Sequence, residues 1–167
     1  MIYYITGGER SGKSKYAQDL ALQLSDNPVY LATSRVWDKE FQQRINQHIS
    51  DRDNRWTTIE EEKQLSKVIQ PKKVYVIDCV TLWLTNFFTD LNNNIDLAYA
   101  EVIKEINLLT EIDTTLIIIS NEIGMGIHAQ NEVSRKFTEL QGWVNQYIGS
   151  KADKATFMVS GLPLTLK

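Results

Sequence analysis

The chain has 167 residues, a formal net charge of −3, 43% hydrophobic and 23% charged residues, and a single cysteine. Those figures describe one soluble domain, residues 1–167, large enough for a full core. They exclude the basic stripe of a nucleic-acid binder and, with Cys79 alone, any internal disulfide, which fits a reducing cytoplasm. No apolar run approaches the roughly 18 residues of a membrane span, and Met1 leads straight into a strand pattern, leaving no room for a signal peptide.

Ile2 to Ile5 is a short β-branched and aromatic run, as expected of a strand buried on both faces. It stops at Gly7-Gly8, and a helical pattern begins at Lys13. Between them stands Gly7-x-x-x-x-Gly12-Lys13-Ser14, the phosphate-loop pattern in a strand–loop–helix setting. Glycines let the backbone N–H groups of Gly7, Gly8, Glu9, Arg10, Ser11 and Gly12 curl around phosphate oxygens. The helix dipole adds to them, Lys13 can reach the β- and γ-phosphates, and the Ser14 hydroxyl can hold Mg²⁺. The stretch reads as a nucleoside-triphosphate site.

The first helix, Ser14 to Ser25, is expected to bury Tyr16, Leu20 and Leu24 before Asp26-Asn27-Pro28 breaks it. Val29 to Thr33 is a second strand, and Thr33-Ser34 follows it at the end where ligands of open α/β sheets collect, or caps the next turn. Asp38 to Asp51 reads as a helix with Trp37, Phe41, Ile45 and Ile49 on its buried face. Arg44, His48 and Arg52 form a neighbouring stripe at the same four-residue spacing. The arginines would favour a neutral, nucleophilic imidazole and could receive phosphate oxygens; the alternative is a charged, solvated face.

Arg55 to Ile59 is a link or short strand, and Glu60-Glu61-Glu62 is expected to start a helix running to about Ile69. Val74 to Asp78 is a buried strand closing on a carboxylate, which beside a phosphate loop positions Mg²⁺. Cys79, in apolar surroundings, reads as a buried structural thiol. Then come a helix over Thr81 to Phe88, a loop over Asp90 to Asp96, a long amphipathic helix over Leu97 to Ile112 and a central strand over Thr115 to Ser120. That strand closes on Asn121-Glu122, and the loop Gly124-Met125-Gly126 leads to a last helix over Asn131 to Ser150 with Phe137, Leu140, Val144, Tyr147 and Ile148 buried. Ala155 to Ser160 is a strand, turned by Gly161-Leu162-Pro163 into a short antiparallel one. Strands alternating with helices predict an α/β, three-layer P-loop NTPase-like sandwich with a mostly parallel sheet and an antiparallel C-terminal strand. Read from spacing alone, the chemistry is that of a Mg²⁺-dependent, nucleotide-using enzyme of the small-kinase type.

Several segments carry a resemblance to a known family. They are ITGGERSGKS (5–14), YLATS (30–34), RINQHISDR with Trp56 beyond it, the strand ending at Asp78, TN (85–86), SNEIGMGI (120–127), GWVNQ (142–146) and VSGLP-x-x-LK (159–167). In order and spacing the chain resembles the bifunctional adenosylcobinamide kinase / adenosylcobinamide-phosphate guanylyltransferase family of cobalamin synthesis. The resemblance implies phosphorylation of adenosylcobinamide by ATP or GTP, then transfer of GMP from GTP to adenosylcobinamide phosphate through a guanylylated histidine. The family's nucleophile falls on His48, with Arg44, Arg52 and Trp56 in register, and its nucleotide contacts fall on Thr33, Ser34, Glu60 and Asp78. Some relatives carry two adjacent histidines where this chain has Gln47-His48, and many have Glu where it has Asp78. The resemblance also implies a homotrimer, while composition and charge leave a cytoplasmic chain with no nucleic-acid partner. The competing expectation is a small P-loop metabolite kinase without guanylyl transfer. A GTP-regulated switch would carry Asn-Lys-x-Asp, which this sequence lacks.

Overall fold

A computed structural model describes residues 1–35 and 53–167. The strands are β1 (Ile2–Gly7), β2 (Val29–Ala32), β3 (Thr57–Glu60), β4 (Val74–Asp78), β5 (Thr115–Asn121), β6 (Lys154–Val159) and β7 (Leu162–Thr165). The helices are α1 (Lys13–Leu24), α2 (Val80–Asp90), α3 (Ile95–Glu111) and α4 (Glu132–Lys151). One sheet holds the strands in the order β3-β2-β4-β5-β1-β6-β7. Every pairing is parallel except β6 with β7. The expected sandwich, mostly parallel with an antiparallel last strand, is what forms. β1 lies between β5 and β6, so the loop leaving its C-terminal end opens at the ligand-bearing edge of the sheet.

Strands buried on both faces alternate their side chains between two cores. Tyr4, Leu31, Tyr75, Ile77, Leu116 and Ile118 join Trp83, Val102, Ile106, Leu140 and Val144 beneath α2, α3 and α4. Ile5, Tyr30, Val76, Ile117, Ile119 and Met158 meet Ala17 and Ala21 of α1 on the other side. The stripe expected on α1 is displaced by one residue. Ala17 and Ala21 are fully buried, Tyr16 and Leu20 flank them, and Leu24 is exposed. A helix launched from β1 by so short a loop lies close to the sheet, and alanine fits the narrow gap.

Two other expectations give way to local chemistry. No α-helix follows the acidic run. Glu60 ends β3, and Glu61 Oε1 accepts from the N–H groups of Lys63 and Gln64, both at 2.9 Å. That closes a tight turn, leaving only a 3₁₀ turn over Leu65–Lys67 that inserts Leu65 into the core. At the other end of the chain the hairpin turn is Ser160–Gly161, and Pro163 already lies in β7 opposite Met158. An edge strand tolerates proline because its outer N–H has no ladder partner to lose. Two helices, α3 and α4, start on asparagine caps: Asn94 accepts from Leu97 N at 3.0 Å and Asn131 from Ser134 N at 2.7 Å. The helix expected over 38–51 lies outside the described residues.

Candidate active site

Sterics dictate the loop between β1 and α1. Gly7 has φ 154°, and a Cβ there would lie 2.4 Å from the Met158 carbonyl oxygen. Gly12, the N-cap of α1, has φ 97°, and its Cβ would lie 3.1 Å from Gly161 Cα. Side chains are excluded at both positions, so the backbone can curve round a cavity of about 250 Å³ lined by Arg10 to Lys15. Lys13 is only 7% exposed, and its ammonium folds back to donate to the Gly8 carbonyl at 2.5 Å and Ser11 Oγ at 3.4 Å. Burial pulls its pKa below the ordinary lysine value, against the pull of Cys79, Asp78 and Glu9. Glu9 and Arg10 are exposed at the mouth.

Asp78 stands at the C-terminal end of β4, two strands from β1. Its Oδ2 accepts from Ser14 Oγ at 2.8 Å and from the Tyr30 hydroxyl at 2.7 Å. The hydroxyl and carboxylate expected to hold Mg²⁺ thus meet directly. Their donor set fits the ion: a hydroxyl and a carboxylate, both hard oxygens of the kind Mg²⁺ takes, meeting beside the phosphate loop. Among the described residues no three or more His, Cys, Asp or Glu cluster as a dedicated protein cage would require. Thr33 is fully buried, and its hydroxyl donates to the Cys79 carbonyl at 2.8 Å. Ser34 is half-buried beyond it, and Glu60 is exposed at the end of β3, paired in register with Ala32. Burial pushes the Cys79 thiol up to about 12, consistent with a structural role.

The sequence pattern of the family described as cobinamide kinase / cobinamide phosphate guanyltransferase matches residues 3–166. The chain belongs to this family. It is 36% identical over 168 residues to the bifunctional adenosylcobalamin biosynthesis protein CobP of Pseudomonas aeruginosa, covering 98% of this chain and 95% of the relative. It is 31% identical over 182 residues to the bifunctional adenosylcobalamin biosynthesis protein CobU of Escherichia coli K12, covering both chains completely. A solved structure, flagellar accessory protein FlaH from Methanocaldococcus jannaschii, aligns over 99% of this chain and 77% of its own at 17% identity and a TM-score of 0.48.

His48, on which the family's nucleophile falls, and Arg44 and Arg52, expected to receive phosphate oxygens, lie outside the described residues. Trp56, just beyond them, packs edge-on against Tyr30 with ring centroids 6.2 Å apart. That contact links the C-terminal end of the histidine segment to the tyrosine that holds Asp78.

Sequence reasoning missed three groups around the site. Tyr30 was hidden because its hydroxyl matters only once β2 lies beside β4. Arg35 follows Thr33-Ser34 and pairs with Glu62 through Nε at 2.8 Å and with Asp90 through both terminal nitrogens at 2.9 and 3.1 Å. Lys63 also pairs with Asp90. Hydrogen bonds from Arg35, then Lys63, hold the Asp90 carboxyl well below the usual carboxylate range. Asn86 donates to the carbonyls of Thr33 and Glu62 at 2.8 and 2.9 Å, tying the ends of β2 and β3 to α2. The sequence signal for Asn86 was its place in the TN pair of an otherwise apolar helix.

Proposed function

We propose that this chain phosphorylates adenosylcobinamide with ATP or GTP, and then transfers GMP from GTP to adenosylcobinamide phosphate to give adenosylcobinamide-GDP. One observation carries the reading: a phosphate loop with a buried lysine and a Ser14–Asp78 pair, in a chain that matches the bifunctional family from residue 3 to 166. In the kinase step the aminopropanol hydroxyl attacks the γ-phosphorus, loses its proton, and breaks the bond to the departing nucleoside diphosphate. In the transferase step a neutral His48 nitrogen attacks the α-phosphorus of GTP and pyrophosphate leaves. The acceptor's phosphate oxygen then attacks the guanylylated histidine, breaking the P–N bond and restoring His48.

Lys13 and the loop N–H groups stabilise charge on the departing phosphates, while Arg44 and Arg52 receive phosphate oxygens beside His48. Ser14 and Asp78 would hold Mg²⁺, which would neutralise part of the phosphate charge. Thr33, Ser34 and Glu60 complete the nucleotide surroundings in this reading. Family resemblance extends it to a homotrimer, and the single cysteine to work in the cytoplasm; among the described residues no helix is long and apolar enough to cross a membrane.

The test is incubation with Mg²⁺ and GTP labelled at the α-phosphate, followed by a denaturing gel beside His48→Ala. Retained label that is lost in acid, survives base and is absent from the variant is the expected result. Transfer of γ-phosphate to adenosylcobinamide with no α-label on the protein would reduce the function to a kinase and remove His48 from it.

A further inference from the structure

In the kinase step the attacking hydroxyl gives up a proton, and the groups gathered at the phosphate loop are poorly suited to take it. Lys13 is a buried ammonium, Glu9 sets its charge against Lys13, and Asp78 Oδ2 is engaged by Ser14 and Tyr30. Glu60 closes β3, four strands from β1 in the sheet order. Glu122 is placed differently. It follows β5, the strand beside β1, and its N–H donates to the Gly7 carbonyl at 2.9 Å, so its backbone stands at the root of the phosphate loop. Its Oε1 accepts from the Gly124 N–H at 2.8 Å, which fixes the carboxylate through one oxygen. Among the described residues Oε2 has no hydrogen-bonding partner.

Beyond Gly124 the chain leaves the sheet and is tied to α4, where Arg135 donates to the Ala129 and Gln130 carbonyls at 3.3 and 2.7 Å. Between this loop and α4 lies a cavity of about 320 Å³ lined by Ile123, Gly124, Ile127, His128, Arg135 and Glu139. Gly124 both lines the cavity and holds the Glu122 carboxylate, so Glu122 stands between the phosphate loop and a space that can admit an acceptor. We propose that Glu122 is the general base of the kinase step. The alcohol oxygen bonds to the γ-phosphorus, and the bond from that phosphorus to the bridging oxygen breaks. The nucleoside diphosphate leaves with the electron pair, and the hydroxyl proton passes to Glu122 Oε2 and on to water. Guanylyl transfer needs no such base, because a phosphate acceptor with a second pKa of about 6 is already ionised at neutral pH. Glu122 thus serves one reaction of the two. The proposal rests on the kinase part of the function above.

Two assays on one preparation of the full chain test it: transfer of γ-label from ATP to adenosylcobinamide, and transfer of α-label from GTP to adenosylcobinamide phosphate. Glu122→Gln keeps an oxygen for the Gly124 N–H and leaves the backbone bond to Gly7 in place, but cannot take a proton. Its kinase kcat is expected to fall about 100-fold with the KM for ATP unchanged, while guanylyl transfer keeps its rate. In Glu122→Ala, added formate is expected to restore part of the kinase turnover, which a merely structural carboxylate would not allow. Equal losses in both reactions would make Glu122 a support of the phosphate loop, and full kinase turnover in Glu122→Gln would place the base elsewhere; either overturns the proposal. If the unaltered chain took α-label from GTP yet passed no γ-phosphate to adenosylcobinamide, the kinase reading itself would fall and the proposal with it.

Discussion

On one face of the sheet, α2, α3 and α4 bury Trp83, Phe87, Phe88 and a broad set of leucines, isoleucines and valines. On the other, among the described residues, α1 lies against Ile5, Val76, Ile117 and Ile119 through little more than Ala17 and Ala21. The first face removes much apolar area from water and carries most of the hydrophobic stabilisation. The second gives up side-chain bulk so that α1 and its loop stand close to the strand ends, and there it buries Lys13, a charged group that works against folding. Stability and chemistry are thus divided across the sheet, and each side can be damaged without the other.

Trp83→Ala should do the greatest damage to the stabilising face. Trp83 is 2% exposed, packs edge-on against Phe87 at 5.7 Å, and donates Nε1–H to the Lys63 carbonyl at 3.0 Å. Truncation should lower the unfolding free energy by about 3–5 kcal/mol through lost transfer energy and a residual cavity. Urea unfolding measures the loss. Turnover of the molecules that remain folded should be unchanged, and a matching fall in turnover would show that the faces are not independent.

Lys13→Met should do the reverse. Both phosphoryl and guanylyl transfer are expected to fall about 100- to 1000-fold, the loss typical of removing one preorganised charge-stabilising group. Stability should rise, because methionine fills the buried stem without an ammonium. The pH dependence fixes the cause. Lys13 has a folded pKa depressed below its ordinary 10.5, so the unfolded chain holds the proton more tightly and the penalty is fully present below the folded value. It disappears as pH rises from the folded value through 10.5. The stability advantage of Lys13→Met should therefore be greatest near neutrality and shrink in alkaline solution. An advantage constant with pH would assign it to packing instead of charge.

The same division explains what could be read in the sequence. Gly7, Gly12, Lys13 and Ser14 were legible because a local steric and charge problem has few solutions, and all of it lies within eight consecutive residues. Asp78 was legible as the carboxylate at a strand end, but its partner Tyr30 is 48 residues away and meets it only through strand order. Gly161 touches Ser11 from 150 positions down the chain, a contact no periodicity announces. The acidic run misled because a carboxylate can begin a helix or close a turn, and Glu61 closes one. The shift of the α1 stripe from Leu20 to Ala17 and Ala21 reflects the closeness of helix to sheet, which hydrophobic pattern does not encode.

The division is weakest at the upper end of the three-helix face, where the core turns polar. Asn145 of α4 accepts from Ser120 Oγ at 2.6 Å and from Gln141 Nε2 at 3.0 Å, and donates to the Asn121 carbonyl at 3.1 Å. Asn121 pairs in register with Gly7, and the next residue, Glu122, donates its N–H to the Gly7 carbonyl at 2.9 Å. One buried amide therefore joins the stabilising helix to the first glycine of the phosphate loop. Asn145→Ala leaves its three partners short of a hydrogen bond and should lower stability by about 1–3 kcal/mol, less than Trp83→Ala. Unlike that variant it should also raise the KM for GTP, because the hold on Asn121, and through Glu122 on Gly7, is loosened. Denaturant unfolding and initial rates on one preparation separate the outcomes. A stability loss with KM unchanged would extend the independence of the two faces up to the site itself, whereas a coupled change makes Asn145 a strut that crosses between them.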